Sequence, residues 1–250
     1  MQGIILTGGK GVRLAPLTDN CNKHLIDICG RPMINYSLSI FLSAGINDIT
    51  LVTNPHHLND FKKAMSVGIG TQFNPLTMVP QTEKPGITGS ILMMPHNLRI
   101  GPYMVVLGDN IIGGSARAYR DKFEENPEQA MILLAEVQSP ESFGIAHIEN
   151  GKITAIEEKP KTPNSHWAIT GIYFFPKDLF DIASKVKPSG RGEYEVTNIL
   201  NTYLEQGRLR YEMLKDWWID AGTHESLAEV RSRICGEDIE EEVESKEGAP

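Results

Sequence analysis

The chain opens with an apolar strand, Ile4-Ile5-Leu6-Thr7, that runs directly into Gly8-Gly9-Lys10-Gly11-Val12-Arg13. A glycine cluster after a buried strand lets the backbone approach a ligand closely, and successive N–H groups can then cradle an anion. Arg13, two residues past the last glycine, adds a cation. The combination predicts a nucleotide-phosphate site at the exit of a sheet strand. The spacing excludes two better-known phosphate loops. Lys10 is followed by Gly11 rather than by the Ser or Thr of a Walker A loop, and a dinucleotide fingerprint starting at Gly9 would need glycine where Leu14 stands. A plain strand-to-helix turn is the competing reading of these residues taken alone.

Downstream, strands and helices alternate. Residues 32–44 read as a helix with proline in its first turn and Gly45 beyond its end. Strand 48–53, a weaker helical stretch over 57–67, strand 76–80, helix 86–94 and strand 103–107 follow, then helix 115–125 and strand 130–137. Near-continuous apolar strands separated by helices imply an α/β protein with a mostly parallel sheet covered on both faces. Ligands of such sheets bind beyond the carboxyl ends of the strands, where the glycine loop and Gly108-Asp109 both fall.

The second half changes character. Asn150-Gly151, between apolar runs 145–149 and 152–156, is a two-residue hairpin signal. Strand 168–175, helix 177–185 and helix 193–206, capped by Gly207, come next. We read residues 1–235 as a single domain in which 139–235 are additions to the sheet begun by 1–138. Residues 236–250 read as an acidic, solvated and mobile tail.

Charge excludes one class of partner. The chain carries a net charge of −8, of which the last fifteen residues supply −6. The remainder is nearly balanced and shows no basic face for nucleic acid. The three cysteines, Cys21, Cys29 and Cys235, are odd in number, widely spaced and without a Cys-x-x-Cys pair, so they read as reduced thiols and not as a zinc site. The first residues lack the pattern of a signal peptide, and no apolar run reaches the ~18 residues of a membrane span. The expectation is a soluble cytoplasmic protein with no membrane partner.

Asp109 follows the apolar run Tyr103-Met104-Val105-Val106-Leu107 and Gly108, and Asp220 follows Trp217-Trp218-Ile219, with Gly222 close behind. Two carboxylates at strand exits can hold one Mg²⁺, whose remaining ligands would be phosphate and water oxygens. An Asp beside Asn or Gly is also an ordinary turn residue. Lys159, in Glu157-Glu158-Lys159-Pro160, and Lys23, in Asn22-Lys23-His24-Leu25, gain interest because phosphate transfer needs cations on both sides of the reacting phosphorus. Each also reads as a solvated charge. The seven histidines show no metal-ligand spacing, and no Gly-x-Ser-x-Gly nucleophile elbow occurs.

Taken in order, these motifs resemble the sugar-1-phosphate nucleotidylyltransferases. The resemblance rests on Gly8-Gly9-x-Gly11-x-Arg13-Leu14-x-Pro16-Leu17-Thr18, Lys23 and Arg31-Pro32-Met33-Ile34. It continues through Gly108-Asp109-Asn110, Phe143-Gly144, Glu157-Glu158-Lys159-Pro160, Thr170-Gly171-Ile172-Tyr173, Arg191-Gly192-Glu193 and Asp220-Ala221-Gly222-Thr223-His224, over about residues 1–230. The likeness is strongest to the short form of the thymidylyl-transferring members that act on glucose 1-phosphate. It implies a Rossmann-like three-layer αβα sandwich with a mostly parallel mixed central sheet, 1–138 forming the nucleotide half and 139–235 the sugar half. It implies catalytic roles for Arg13, Lys23 and Lys159. Leu6, Gly8, Gly9, Gly11, Arg13, Gln81, Gly86 and Asp109 would bind the nucleotide. Gly144, Glu158, Lys159, Ile169, Tyr173 and Arg191 would bind the sugar phosphate. Asp109 and Asp220 would hold Mg²⁺. The implied partners are a nucleoside triphosphate, dTTP foremost, and a sugar 1-phosphate, in a homo-oligomer.

The chain departs from the family pattern at Thr7, at Thr88-Gly89-Ser90, at Phe143 in place of a common tyrosine, and at Asn198. Selection among sugars is therefore expected near Phe143 and Thr88-Gly89-Ser90. UTP or CTP as nucleotide, an amino or unusual sugar 1-phosphate, and a non-catalytic nucleotide-sugar sensor are the alternatives. A nicotinamide dehydrogenase is disfavoured by Leu14.

Overall fold

The structure, a computed structural model, describes residues 1–9, 11–82, 86–190 and 192–236. β1 (Gln2–Thr7) is followed by β2 (Asp27–Ile28), β3 (Arg31–Pro32), α1 (Ile34–Ser43), β4 (Ile49–Thr53), α2 (Leu58–Met65) and β5 (Leu76–Pro80). The middle of the chain supplies α3 (Ile87–Leu92), β6 (Tyr103–Leu107), β7 (Asn110–Ile112), α4 (Arg117–Glu125) and β8 (Ala130–Glu136). Then come β9 (Gly144–Glu149), β10 (Lys152–Glu158), β11 (Trp167–Phe175), α5 (Leu179–Ala183) and α6 (Val196–Glu205). β12 (Leu209–Met213), β13 (Trp218–Asp220) and α7 (His224–Cys235) complete it.

One nine-stranded sheet runs β10-β9-β11-β6-β1-β4-β5, with β8 on the other side of β11 and β12 beyond it. β1 lies parallel between β4 and β6, and β4 pairs parallel with β5. The long β11 is antiparallel to β6, β8 and β9, which makes the sheet mixed. Period-two alternation sends Ile4, Val105, Tyr173 and Phe175 to one face, against α3, α5 and α6. Ile5, Met104, Val106 and Phe174 go to the other, against α1, α2 and α4. That is the three-layer α/β fold expected. Asn150 and Gly151 both take positive φ, 50° and 73°, so the β9–β10 connection is the tight hairpin read from those two residues.

The first long helix starts at Ile34, not at Pro32. Arg31 and Pro32 are drawn into a ribbon with Asp27 and Ile28, and the Met33 amide donates to Ile26 O at 2.8 Å. A second ribbon pairs β7 with β13 outside the main sheet, bringing Asp220 into register with Asn110. α7 is fixed at its start by a capping box between Thr223 and Ser226. It packs Leu227 and Val230 onto a small third cluster with Leu14, Ile28 and Ile219. No helix among the described residues is long and apolar enough to cross a membrane. The expected acidic tail lies, from residue 237 on, outside the described residues.

The expectation of three reduced thiols is corrected. Cys29 and Cys235 form a disulfide, and only Cys21 is free. Cys29 sits in the β2–β3 turn with φ of 54°, and the last turn of α7 is laid against that turn, with the two Cα atoms 5.9 Å apart. A separation of 206 residues conceals this pairing from any local spacing rule. A loop of that length, once closed, removes denatured-state entropy worth about 5 kcal/mol. Reduction, or Cys235→Ser, is therefore expected to lower the unfolding free energy by that order, read as a fall in the urea midpoint. An unchanged midpoint in the reduced protein would show that the bond does not constrain the unfolded chain.

Candidate active site

The glycine loop leaves β1 between two parallel neighbours, so its backbone faces the open end of the sheet. Gly11 is left-handed, with φ of 65°, and turns the chain into a short helical turn over Val12–Leu14. Thr18 Oγ1 donates to Gly11 O at 2.9 Å, and Leu14 is fully buried in the third cluster. Both anchors hold the distal end of the loop, where it passes into that turn. A Cβ on Gly8 would lie 2.7 Å from Gln81 Oε1, so glycine lets the loop and the glutamine approach closely without displacing that side chain. Lys10 lies outside the described residues.

Two clefts meet at this sheet end. The first, of about 760 Å³, is lined by Leu6, Gly8, Gly9, Lys23, Gln81, Gly86 and Asp109. The second, of about 930 Å³, is lined by Arg13, Gly144, Glu158, Lys159, Ile169, Tyr173 and Asp220. Ile87 and Leu107 form part of both walls. Arg13 thus stands on the second cleft, whereas Gly11 lines neither and packs towards Thr18 and Lys23. Arg191 lies outside the described residues.

The charges concentrate where the clefts join. Lys23 Nζ forms an ion pair with Asp109 Oδ2, and both side chains are largely buried. Burial alone would raise the Asp109 pKa, but the Lys23 charge holds this carboxyl well below the usual carboxylate range. Burial likewise works against the Lys23 charge, and Asp109 outweighs it, raising that ammonium pKa. Asp220 is pushed up to about 6 by burial and then by the negative charge of Asp109, with Lys23 and Arg13 opposing. A Cβ on Gly222 would fall 2.7 Å from Asp220 Oδ1 and 2.8 Å from Arg13 Nη2, which puts that guanidinium beside the carboxylate. The Ala221 amide donates to Asp109 O at 2.9 Å, tying the two acidic segments by their backbones.

A carboxylate whose pKa is raised by burial and then by a neighbouring carboxylate is a site that a cation would relieve. The donors are hard oxygens, as Mg²⁺ prefers. Among the described residues no group of three or more His, Cys, Asp or Glu gathers, so the protein would supply two ligands and leave the rest to phosphate and water.

On the second cleft, Lys159 takes a left-handed φ of 47°, and its amide donates to Phe143 O at 3.0 Å. Gly144 leaves room beside Glu158, whose Oε2 would lie 3.4 Å from an added Cβ. Tyr173 is buried, and burial followed by the Glu158 charge raises its phenol pKa, so it stays neutral. Phe143 meets Trp218 edge-on with ring centres 5.3 Å apart. Trp218 and Asn110, which join this wall to Asp109, were not singled out from the sequence. Their position beside Asp220 and Asp109 was the available signal.

The departures from the family pattern at 88–90 are explained differently from the expectation. Thr88 Oγ1 donates to Glu195 O at 2.8 Å, and its amide to Tyr194 O at 3.0 Å, so this threonine staples α3 to the segment entering α6. Ser90 lines the first cleft, not the second. Thr7 Oγ1 is spent on Val52 O at 3.0 Å, and Asn198 Nδ2 on Lys187 O at 3.4 Å. Only Phe143 among these departures lines the second cleft.

His24, next to the ion pair, is 1% exposed. Its Nδ1 lies 2.6 Å from Asn22 Oδ1, and Asn22 Nδ2 donates to Thr7 O at 3.2 Å, linking the Lys23 segment to β1. Burial, then the Lys23 charge, pushes its pKa from 6.5 down to about 3. The folded value lies below the unfolded one. As pH falls from about 6.5, the unfolded chain therefore takes up a proton that the folded chain refuses, and stability declines by about 1.4 kcal/mol per unit from this group. Urea midpoints between pH 7 and pH 5 are expected to fall less steeply in His24→Gln. Equal slopes would remove His24 from the acid response.

Comparison with known proteins identifies the family. The model of the family described as "Nucleotidyl transferase" matches residues 2–237. A glucose-1-phosphate thymidylyltransferase of Neisseria meningitidis serogroup A / serotype 4A is 36% identical over 241 residues, 94% of this chain and 82% of that protein. One from Mycolicibacterium smegmatis is 36% identical over 233 residues, 92% of this chain and 81% of that protein. Among solved structures, a Bacillus anthracis protein assigned as a glucose-1-phosphate thymidylyltransferase, crystallised with sucrose, superposes with a TM-score of 0.86. It is 38% identical and covers 96% of this chain and 97% of its own. A UDP-glucose pyrophosphorylase bound to UDP-glucose, 20% identical, shares the fold with a TM-score of 0.83 over 94% of this chain and 98% of its own. The chain belongs to the nucleotidyl transferase family.

Proposed function

We propose that this chain joins dTTP and glucose 1-phosphate into dTDP-glucose with release of pyrophosphate. The observation that carries the reading is the meeting of two clefts at Asp109 and Asp220, with Lys23 on one side and Arg13 on the other. The thymidylyltransferase relatives support the choice of substrates. In this reading residues 1–235 act as one catalytic domain, with the nucleotide in the first cleft and the sugar phosphate in the second. A cytoplasmic homo-oligomer is its expected setting.

The reaction is an in-line displacement. A phosphate oxygen of glucose 1-phosphate attacks the α-phosphorus of dTTP. The bond from that phosphorus to the bridging oxygen breaks, and its electron pair leaves with pyrophosphate. The attacking oxygen is already ionised at neutral pH, so no general base is needed. The protein must bring two anions together and spread the charge that moves to the leaving group.

The glycine loop and Leu6 hold the nucleotide backbone, and Gln81 and Gly86 meet the base. Lys159, with Arg191, grips the sugar phosphate and aims its oxygen. Gly144, Glu158, Ile169 and Tyr173 shape the sugar pocket. Lys23 neutralises phosphate charge, and Arg13, which lines the second cleft beside Asp220, would stabilise the departing pyrophosphate from the junction of the two clefts. Asp109 and Asp220 would hold Mg²⁺, which would supply positive charge against the phosphates.

Pyrophosphate release across dTTP, UTP and CTP, each with glucose 1-phosphate and with an amino-sugar 1-phosphate, tests the substrate choice. The dTTP–glucose 1-phosphate pair is expected to give the highest kcat/KM, and a faster UTP or amino-sugar reaction would replace it. Arg13→Ala is expected to lower kcat by about 10²–10³, the usual effect of losing one preorganised charge-stabilising donor. A loss under about tenfold would remove Arg13 from the transition state. Asp109→Asn should lose Mg²⁺-dependent turnover while remaining folded by circular dichroism, at a lowered melting temperature because Lys23 keeps its burial and loses its partner. Near-normal activity at limiting Mg²⁺ would refute the metal role.

A further inference from the structure

Asn110 is wholly buried and lines neither cleft, yet it touches the walls of both. Its Oδ1 accepts the Gly171 amide at 2.9 Å and the Trp218 indole Nε1–H at 2.6 Å. Two N–H donors occupy both lone pairs of that oxygen, so the side-chain amide has one orientation only. Its nitrogen is then aimed at the Asp109 carboxylate, donating to Oδ1 at 3.1 Å. The other oxygen of that carboxylate belongs to Lys23. Asp109 is thus gripped at both oxygens and cannot rotate.

The surroundings are shaped for this contact. A Cβ on Gly171 would collide with the Asn110 amide, its nearest atom at 2.5 Å, so glycine is required in β11 there. The pairing of β11 with β8 is irregular between Ile169 and Tyr173, the interval in which the Gly171 amide goes to Asn110. Asn110 also pairs across the β7–β13 ribbon with Asp220, the other acidic residue of the site. The single Ser37 hydroxyl proton is shared between the carbonyls of Gly108 and Asn110, at 2.8 and 2.9 Å from Oγ, holding the turn that carries Asp109 from behind. Were the amide reversed, an oxygen would face Asp109 Oδ1, placing two acceptors together in a buried site.

Resting on the functional reading above, we propose that Asn110 is a positioning residue that locks the Asp109 carboxylate for divalent-cation binding, with the Trp218 indole N–H as the bolt on the lock. Trp218 lines the sugar-side cleft and Asp109 the nucleotide-side cleft. The same three side chains therefore link the sugar-side wall to the metal ligand. Partners that orient a metal ligand are worth roughly 10–100-fold in metal affinity.

The test measures Mn²⁺ binding by electron paramagnetic resonance, without turnover, first on the full chain alone and then with dTTP and no sugar phosphate. Asn110→Ala is expected to weaken Mn²⁺ binding by about tenfold or more, and Trp218→Phe to weaken it in the same direction while keeping an aromatic wall. The double variant should be no weaker than Asn110→Ala, because the indole acts through the amide. Metal-free dTTP binding, followed by calorimetry, should stay at the unmodified value in Trp218→Phe. Should Asn110→Ala fail to fold, Trp218→Phe carries the test alone.

Unchanged Mn²⁺ binding in Trp218→Phe, with only the KM for sugar phosphate raised, would overturn the proposal and leave Trp218 as a pocket wall. Additive losses in the double variant would overturn the bolt. Pyrophosphate release by the unmodified protein, run alongside, separates the two levels. If it is absent, the functional reading fails, while Mn²⁺ binding to the protein alone still decides the role of Asn110.

Discussion

Two carboxylates brought close together, one buried and one half-buried, repel each other, and the structure of this chain is organised around managing that repulsion. Lys23 takes one oxygen of Asp109 and keeps that group ionised. Asp220 is left with a raised pKa, its charge offset in part by Lys23 and Arg13. Such an arrangement costs stability in the empty protein, because burial of charge is unfavourable unless partners are well placed. The surrounding polar order follows from that cost. His24 stays neutral beside Lys23, Asn22 ties its segment to β1, and the short helical turn after the glycine loop carries Arg13 alongside Asp220. Polyanionic substrates are what such a cluster of cations and desolvated acids is prepared to receive.

The sheet supplied the more legible half of this arrangement. Val105, Val106 and Leu107 are apolar in succession because β6 is covered on both faces, and that same run announced where Asp109 would emerge. Asn150-Gly151 specified its hairpin by local backbone chemistry alone. Lys159 and Glu158 were visible as a charged exit from a strand, although β10 carries the ladder two residues further than the apolar pattern implied, to Glu158 itself.

What stayed hidden depends on contacts between distant segments. A strand before Asp220 was legible in Trp217-Trp218-Ile219, but β13 is only Trp218–Asp220, and its pairing with β7 outside the main sheet was not. Leu209-Arg210-Tyr211-Glu212-Met213 does alternate apolar and charged, a strand signal the sequence offered, but its parallel pairing with β8 at the far side of the sheet did not show. Thr88 read as a change near the sugar, but its hydroxyl belongs to Glu195, more than a hundred residues away. The role of Asn110 was equally invisible. An asparagine after an aspartate is an ordinary turn pair until Gly171 and Trp218 are brought to its oxygen.

The bond between Cys29 and Cys235 gives the molecule a topology that its linear sequence does not have. Nearly the whole domain, from the β2–β3 turn to the end of α7, is one covalent ring. A single cut in any exposed loop of that ring opens it without releasing a fragment. The segment bearing Lys23 and the glycine loop would stay attached to the helix that follows Asp220. New chain ends could thus be opened in a surface loop while the two acidic segments remain joined through sulfur.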